Sequence, residues 1–121
     1  MIEIDLNYPP SANRYWRCFR NRMVPSKDAL AYKKHVHDTV RGMELHLTQD
    51  PVLVIISLAP KLTVKGDASK TCIDLDNALK VILDSLQGIA YENDKQIKKI
   101  IAEYGQAKVN GGIKVQVLKY E

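Results

Sequence analysis

Apolar residues recur along this chain with two different periods. Residues 2–6 alternate Ile, Glu, Ile, Asp, Leu, the pattern of a half-buried strand. Tyr8-Pro9-Pro10-Ser11 ends that strand, because proline cannot donate to a ladder. A polar, arginine-rich loop follows to about residue 24, and Pro25-Ser26 then offers a helix start with Ser26 as N-cap. Ala29, Tyr32, Val36, Val40, Met43 and Leu47 fall at spacings of 3, 4, 4, 3 and 4, which predicts one apolar helix face over residues 27–47. Pro51 to Leu58 is a continuous run rich in Val and Ile and predicts a central strand. A lysine-bearing loop from Pro60 to Thr71 leads to a second helix, Leu75 to Gln87, with Gly88 suited to its C′ position. Ile97 to Gln106 and Gly112 to Lys119 predict two more strands, with a hairpin signal in Val109-Asn110-Gly111-Gly112 between them. The expected fold is α/β: a single domain over residues 1–121, in the order β-α-β-α-β-β, with one mixed sheet and two main helices.

The second helix is apolar beyond a single stripe. Leu79, Ile82, Leu83 and Leu86 form one face, and Ala78, Val81 and Ser85 form a flank of smaller residues. A helix buried wholly within one chain accounts for this, and so does a partner helix in a twofold homodimer.

Composition adds a basic bias to this outline. Apolar residues make up 45% of the 121 positions, enough for a core, and no apolar run reaches membrane-spanning length. The net charge is +4 and the pI about 9.1, a modest excess that suits a polyanionic partner. All five arginines precede residue 42, and Arg14, Arg17, Arg20 and Arg22 lie within nine positions. Cys18 and Cys72 fit no zinc spacing and read as reduced thiols of a cytoplasmic protein, with a disulfide between them left open. The alternating start Met1-Ile2-Glu3-Ile4-Asp5 lacks the features of a signal peptide.

The candidate chemistry is concentrated in Ile73-Asp74-Leu75-Asp76-Asn77-Ala78-Leu79-Lys80 and in Tyr91-Glu92-Asn93-Asp94. Residues two apart on a helix do not face each other, so Asp74 and Asp76 can share a metal only if one lies in the non-helical entry. Asp74 as N-cap or earlier, with Asp76 in the first turn, meets that condition. Lys80 follows Asp76 by one turn on the same face, and Asp94 arrives from the loop beyond the helix. Three carboxylates converging with a lysine would hold Mg²⁺, a hard cation that prefers oxygen ligands, against a phosphodiester. Singly, each has a plainer reading: Asp74 and Asp76 as helix-start acids complementing the macrodipole, Asp94 as a turn residue, Lys80 as a solvated lysine. Asp84, four residues past Lys80, is either its outer partner or an ordinary ion pair, and Glu92 is a possible extra ligand.

These blocks resemble the RusA-type Holliday junction resolvases, small homodimeric endonucleases of bacteria and their phages. The resemblance rests on Asp74-Leu75-Asp76-Asn77-Ala78-Leu79-Lys80, Leu83-Asp84-Ser85-Leu86 and Tyr91-Glu92-Asn93-Asp94-Lys95-Gln96-Ile97, supported by Tyr8-Pro9-Pro10-Ser11-Ala12-Asn13-Arg14-Tyr15. It implies that Asp74, Asp76 and Asp94 are the magnesium-binding carboxylates and that Lys80 is the essential helix lysine. The loop before Asp74 departs from the family pattern. Thr71-Cys72-Ile73 stand where a dense basic run would be, and the lysines are spread over Lys61, Lys65 and Lys70.

Arginines and aromatics interleave over Asn13 to Arg22. Guanidinium groups pair with phosphates, and aromatic faces stack on exposed bases. Arg14, Arg17, Arg20, Arg22, Lys61, Lys65 and Lys70 are therefore the DNA-binding candidates. At least one of Tyr15, Trp16 and Phe19 is assigned to the core. His35, His37 and His46 read as solvated or partly packed residues of the first helix, not as a zinc site. The combined expectation is a Mg²⁺-dependent endonuclease, with Mn²⁺ as a substitute, that cuts four-way or other branched DNA through in-line attack of a metal-activated water. A homodimer suits the paired symmetric cuts of a four-way junction. No membrane and no nucleotide cofactor are involved, and the source is a bacterium or phage. The rivals are a catalytically inactive branched-DNA-binding module and a phosphoesterase acting on a smaller substrate.

Overall fold

The computed structural model describes residues 2–10, 16–41, 43 and 47–121. They form a four-stranded mixed sheet with two helices, plus a separate two-stranded ribbon. The elements are β1 (Ile2–Leu6), β2 (Trp16–Phe19), β3 (Arg22–Pro25), α1 (Lys27–Val40), β4 (Val52–Ala59), α2 (Leu75–Leu86), a 3-10 turn (Asp94–Gln96), β5 (Ile97–Tyr104) and β6 (Gly112–Lys119). The strand order is β1-β6-β4-β5.

β4 organises the sheet. It pairs antiparallel with β6 along its whole length and parallel with β5, opposing Val52 to Ile97 and Leu58 to Tyr104. Parallel neighbours need a crossover connection, and α2 supplies it. Val52, Val54, Ile56 and Leu58 on β4, Ile113, Val115 and Val117 on β6, and Ile4 and Leu6 on β1 are buried on one face. Against them pack Ala29, Tyr32, Val36 and Val40 of α1 and Ala78, Val81, Ile82 and Leu86 of α2. The other face carries half-buried Leu53, Ile55 and Leu118 among polar residues, and no described element covers it.

Three sequence expectations are corrected. The arginine-rich segment before residue 24 is not a loop throughout. β2 and β3 form a hairpin turning at Arg20 and Asn21, both at positive φ, the backbone of a type I′ turn. Helix α1 ends at Val40, not at residue 47. Arg41 turns extended, and Gly42, a poor helix former, follows it in the sequence, so Met43 and Leu47 are exposed instead of continuing the buried face. β5 and β6 are not hairpin partners, because β4 lies between them. The turn at Asn110 and Gly111 does form, both at positive φ, but it carries the chain past the end of β4.

Helix α1 is tied to the exit of β1 by polar bonds. The Tyr32 hydroxyl donates to the Asn7 carbonyl at 2.7 Å, and the Asn7 amide donates to His35 Nε2 at 2.9 Å. His35 must therefore be neutral with its proton on Nδ1. Loss of hydration lowers its pKa below the usual 6.5, against a smaller opposing pull from Asp38.

Ile82, fully buried under the sheet, is the clearest probe of the core. Ile82→Ala is expected to cost about 3 kcal/mol by urea unfolding, the transfer term plus a residual cavity. His35 gives a pH signature. A depressed folded pKa means that the unfolded chain binds the proton more readily, so the stabilising contribution is complete above the unfolded value of 6.5 and is lost as pH falls through the folded one. Denaturant unfolding at pH 7.5 and 5.5 should show a larger loss in the native chain than in His35→Gln. Equal losses would mean that the Asn7 bond does not depend on the neutral ring.

Candidate active site and nucleic-acid interface

Asp74 is the N-cap of α2 by its backbone, at φ −65° and ψ 146°, and its carbonyl receives the first helical bond from Ala78 at 3.0 Å. Its carboxylate makes no capping bond to its own helix, unlike the Ser26 hydroxyl that caps α1. An N-cap aspartate ordinarily satisfies an orphan amide, and this one leaves its exposed oxygens outward. Asp76 is exposed in the first turn, and Lys80 is exposed one turn further on. This half of the site has the arrangement expected from the sequence.

The side chains that place it come from both edges of the sheet. The Tyr8 hydroxyl, just beyond β1, accepts from the Ile73 amide at 2.6 Å. The Tyr104 hydroxyl, at the end of β5, donates to the Ile73 carbonyl at 3.0 Å. Loss of hydration raises the Tyr104 pKa, and charge at Cys72, Asp74 and Asp76 raises it further. An open groove of about 680 Å³ adjoins Asp74, lined by Tyr8, Tyr32, His35, Cys72 and Asn77 among others. Neither tyrosine stood out as functional in the sequence, although Tyr8 belongs to the N-terminal block that carries the resemblance.

Asp94 lies elsewhere. It opens the 3-10 turn before β5, at the end of the sheet where β4 begins. Asn93 and Gln96 form a reciprocal capping box around it. Gln96 Nε2 also donates to the carbonyls of Thr48 and Asp50, at 2.7 and 2.9 Å, fastening the turn to the chain that enters β4. These two residues present an exposed Asp94. Asp74 stands at the far end, where Tyr104 opposes Leu58. The strand between is about 20 Å long at 3.3 Å per residue. The convergence of three carboxylates within one chain is therefore not found, and no group of three possible metal ligands occurs among the described residues. A sequence signal was available: a helix of about 12 residues separates its two ends by about 18 Å.

Two further acids have partners in the structure. Asp84 forms an ion pair with Lys33 of α1 at 3.1 Å, which links the two helices. Glu92 is exposed and accepts from Gln49 Nε2 at 3.2 Å. Tyr91, at the same end of the helix, is fully buried and donates to the Leu83 carbonyl at 2.6 Å, and burial pushes its pKa upward, with Asp94 and Asp84 adding to the shift.

Arg14 and Tyr15, with His46, lie outside the described residues, as do the side chains of Trp16 and Arg17. Arg20 and Arg22 are exposed at the hairpin tip, with the Arg20 guanidinium 5.2 Å from the centre of the Phe19 ring. Phe19 is 48% exposed, so it is not the aromatic assigned to the core. The hairpin leads through Pro25 and Ser26 into α1, whose first-turn Asp28 lines the groove beside Asp74. Lys61 lies on the groove and stacks its ammonium over the Tyr8 ring at 4.7 Å. Lys65 and Lys70 are exposed on the loop that follows, where Gly66 takes φ +87° in a turn closed by Thr63 and Asp67. No described helix is long and apolar enough to cross a membrane. Cys18 and Cys72 are both free thiols.

Comparison with known proteins agrees with the site's chemistry. The family profile described as Endodeoxyribonuclease RusA matches residues 7–118. The chain is also 35% identical over 108 residues to the crossover junction endodeoxyribonuclease rusA of Enterobacteria phage HK97, covering 88% of this chain and 84% of that protein. A match that spans β1's exit, both helices and the last strand, and that includes the acidic helix start and the turn bearing Asp94, places this chain in the RusA family of endodeoxyribonucleases.

Proposed function

We propose that this protein is a Mg²⁺-dependent homodimer that resolves Holliday junctions by paired symmetric cleavage. The observation that carries the reading is the helix start of α2. Asp74 and Asp76 are exposed carboxylates in a family of endodeoxyribonucleases, Asp74 is not consumed in capping its helix, and Lys80 follows one turn later. Hard anionic oxygens open to solvent fit Mg²⁺, which keeps several waters and needs one or two protein carboxylates. Asp74 and Asp76 would hold it, and Mn²⁺ fits the same donors. When bound, the cation supplies positive charge at the scissile phosphate and acidifies a coordinated water. Lys80 places a fixed cation where charge develops on the phosphate or leaving oxygen.

Asp94 joins this centre from a second chain. A twofold axis perpendicular to α2 sets two copies of the helix antiparallel, which brings the Asp94 end of one beside the Asp74 end of the other. The α2 surface has the residues for such an interface. Leu75, Leu79 and Leu83 form a half-buried row next to Asp76 and Lys80, whereas Ala78, Val81, Ile82, Ser85 and Leu86 are already used in the monomer core. Two composite sites would then cut the two symmetry-related strands of a junction. Arg14, Arg17, Arg20 and Arg22 on and before the hairpin, with Lys61, Lys65 and Lys70, would carry the DNA backbone. A cleavage assay on four-way, three-way and linear duplex DNA tests this reading against a non-cleaving DNA-binding module and against an enzyme of small phosphate esters.

Asp74→Asn, Asp76→Asn and Asp94→Asn homodimers should each lose cleavage yet bind junctions. Mixing Asp74→Asn with Asp94→Asn chains should restore nicking at one strand per dimer, because one of the two composite sites regains every native ligand. Mixing Asp74→Asn with Asp76→Asn should restore nothing. Absence of rescue in the first mixture, with subunit exchange verified, excludes a site shared between chains.

Junction affinity should fall steeply with salt, since each phosphate paired with a lysine or arginine releases counterions. Single neutralisation of Arg14, Arg17, Arg20 or Arg22 should flatten the slope of log K against log salt by up to about one unit for each phosphate that the variant leaves unpaired. Four unchanged slopes would remove the hairpin from the DNA surface.

A further inference from the structure

Tyr8 and Tyr104 reach the backbone of the same residue from opposite edges of the sheet. Tyr8 follows β1, one edge strand, and Tyr104 ends β5, the other. The residue is Ile73, immediately before Asp74, and the two bonds fall on the successive peptide groups that flank its Cα. Its amide is held by Tyr8 at 2.6 Å and its carbonyl by Tyr104 at 3.0 Å. The Tyr8 hydroxyl also donates to Cys72 Sγ at 3.6 Å, so both of its hydrogen-bonding roles are spent within two residues of Asp74.

The Tyr8 ring is itself held. A Cβ on Gly111, at φ +65°, would come within 2.7 Å of Tyr8 Cδ2, so the ring lies in space that only a glycine leaves there. Lys61 closes over the ring at 4.7 Å. An N-cap residue normally sets its own side chain by bonding a helix amide. Asp74 makes no such bond, so its orientation must come from the backbone on which it stands.

We propose that Tyr8 and Tyr104 are positioning residues of the catalytic centre, a two-sided clamp on the two peptide groups flanking the Ile73 Cα that aims the Asp74 carboxylate outward at the metal. The clamp rests on the reading of Asp74 as a metal ligand. It gives the Tyr8-Pro9-Pro10 block a role distinct from ending a strand: the tyrosine at the exit of β1 reaches across to the α2 entry and fixes its backbone. It also ties a candidate phosphate-binding lysine, Lys61, to the geometry of the acidic centre.

The test uses Tyr8→Phe and Tyr104→Phe, which keep each ring and delete one hydroxyl, beside Asp74→Asn. Four quantities are measured on the full-length protein: Mn²⁺ affinity by electron paramagnetic resonance, single-turnover cleavage of a four-way junction, junction affinity without divalent metal, and the exchange rate of the amides at residues 72–75. Tyr8→Phe should weaken Mn²⁺ binding at least threefold, slow cleavage about tenfold, leave junction affinity within twofold and speed exchange at Ile73. Tyr104→Phe, acting from the other edge, should reproduce the metal and rate effects, so the idea stays testable if one variant fails to fold. Mn²⁺ affinity and cleavage within twofold of the native protein in both variants, while Asp74→Asn loses both, overturns the clamp and leaves the metal site standing. Native metal binding and cleavage in Asp74→Asn overturns the reading of the site, and the clamp with it.

Discussion

The parallel pairing of β4 with β5 is the constraint from which the rest of the molecule follows. Two neighbouring strands that run the same way cannot be joined by a tight turn, so the chain must return across the face of the sheet. Helix α2 makes that return, beginning where β4 ends and finishing where β5 begins. Its two ends are therefore a sheet's length apart. Asp74 marks the first and Asp94 follows the second. The separation of the two acidic motifs is thus a property of the topology and not of any local loop. In the proposed dimer, the two motifs meet across the twofold axis, and the symmetry of the assembly becomes a condition of its chemistry.

Around this frame, the acidic residues are placed by bonds from side chains to backbone. Asn93 and Gln96 close a capping box about Asp94, and Gln96 reaches on to the carbonyls ahead of β4. Tyr8 and Tyr104 hold the backbone ahead of Asp74. In both places the neighbours absorb the backbone's hydrogen-bonding demand, and the aspartate is left exposed. In the proposed centre, a carboxylate that binds a hydrated cation cannot also serve as a helix cap without losing lone pairs to amides. The division of labour accounts for why polar residues cluster around each aspartate.

The basic residues are distributed differently. The hairpin of β2 and β3 raises Arg20 and Arg22 on a ribbon outside the main sheet, while Lys61 sits on the groove that borders Asp74. Acidic centre and basic surround serve opposite needs. In the proposed reading, the surround attracts the polyanion over a range set by salt, and the centre requires a cation before a phosphate can approach it.

The periodic elements were legible in the sequence. Alternation identified β1, the apolar run identified β4, and the spacing from Leu75 with Gly88 at its end identified α2, with Asp74 at its N-cap or earlier. These are local matters of side-chain direction and capping. The β2–β3 hairpin was hidden because its strands are only four residues long and because Arg20, which has a Cβ to accommodate, occupies a left-handed position usually given to Asn or Gly. The candidate catalytic residue types were likewise legible, but their arrangement in space was not. Spacing along a sequence states how much chain lies between two aspartates. Helix length alone separates the two ends of α2 by about 18 Å, but only the pairing of β4 with both β5 and β6, which joins residues far apart in the chain, decided that α2 runs along the sheet and that Asp94 stays at the end opposite Asp74.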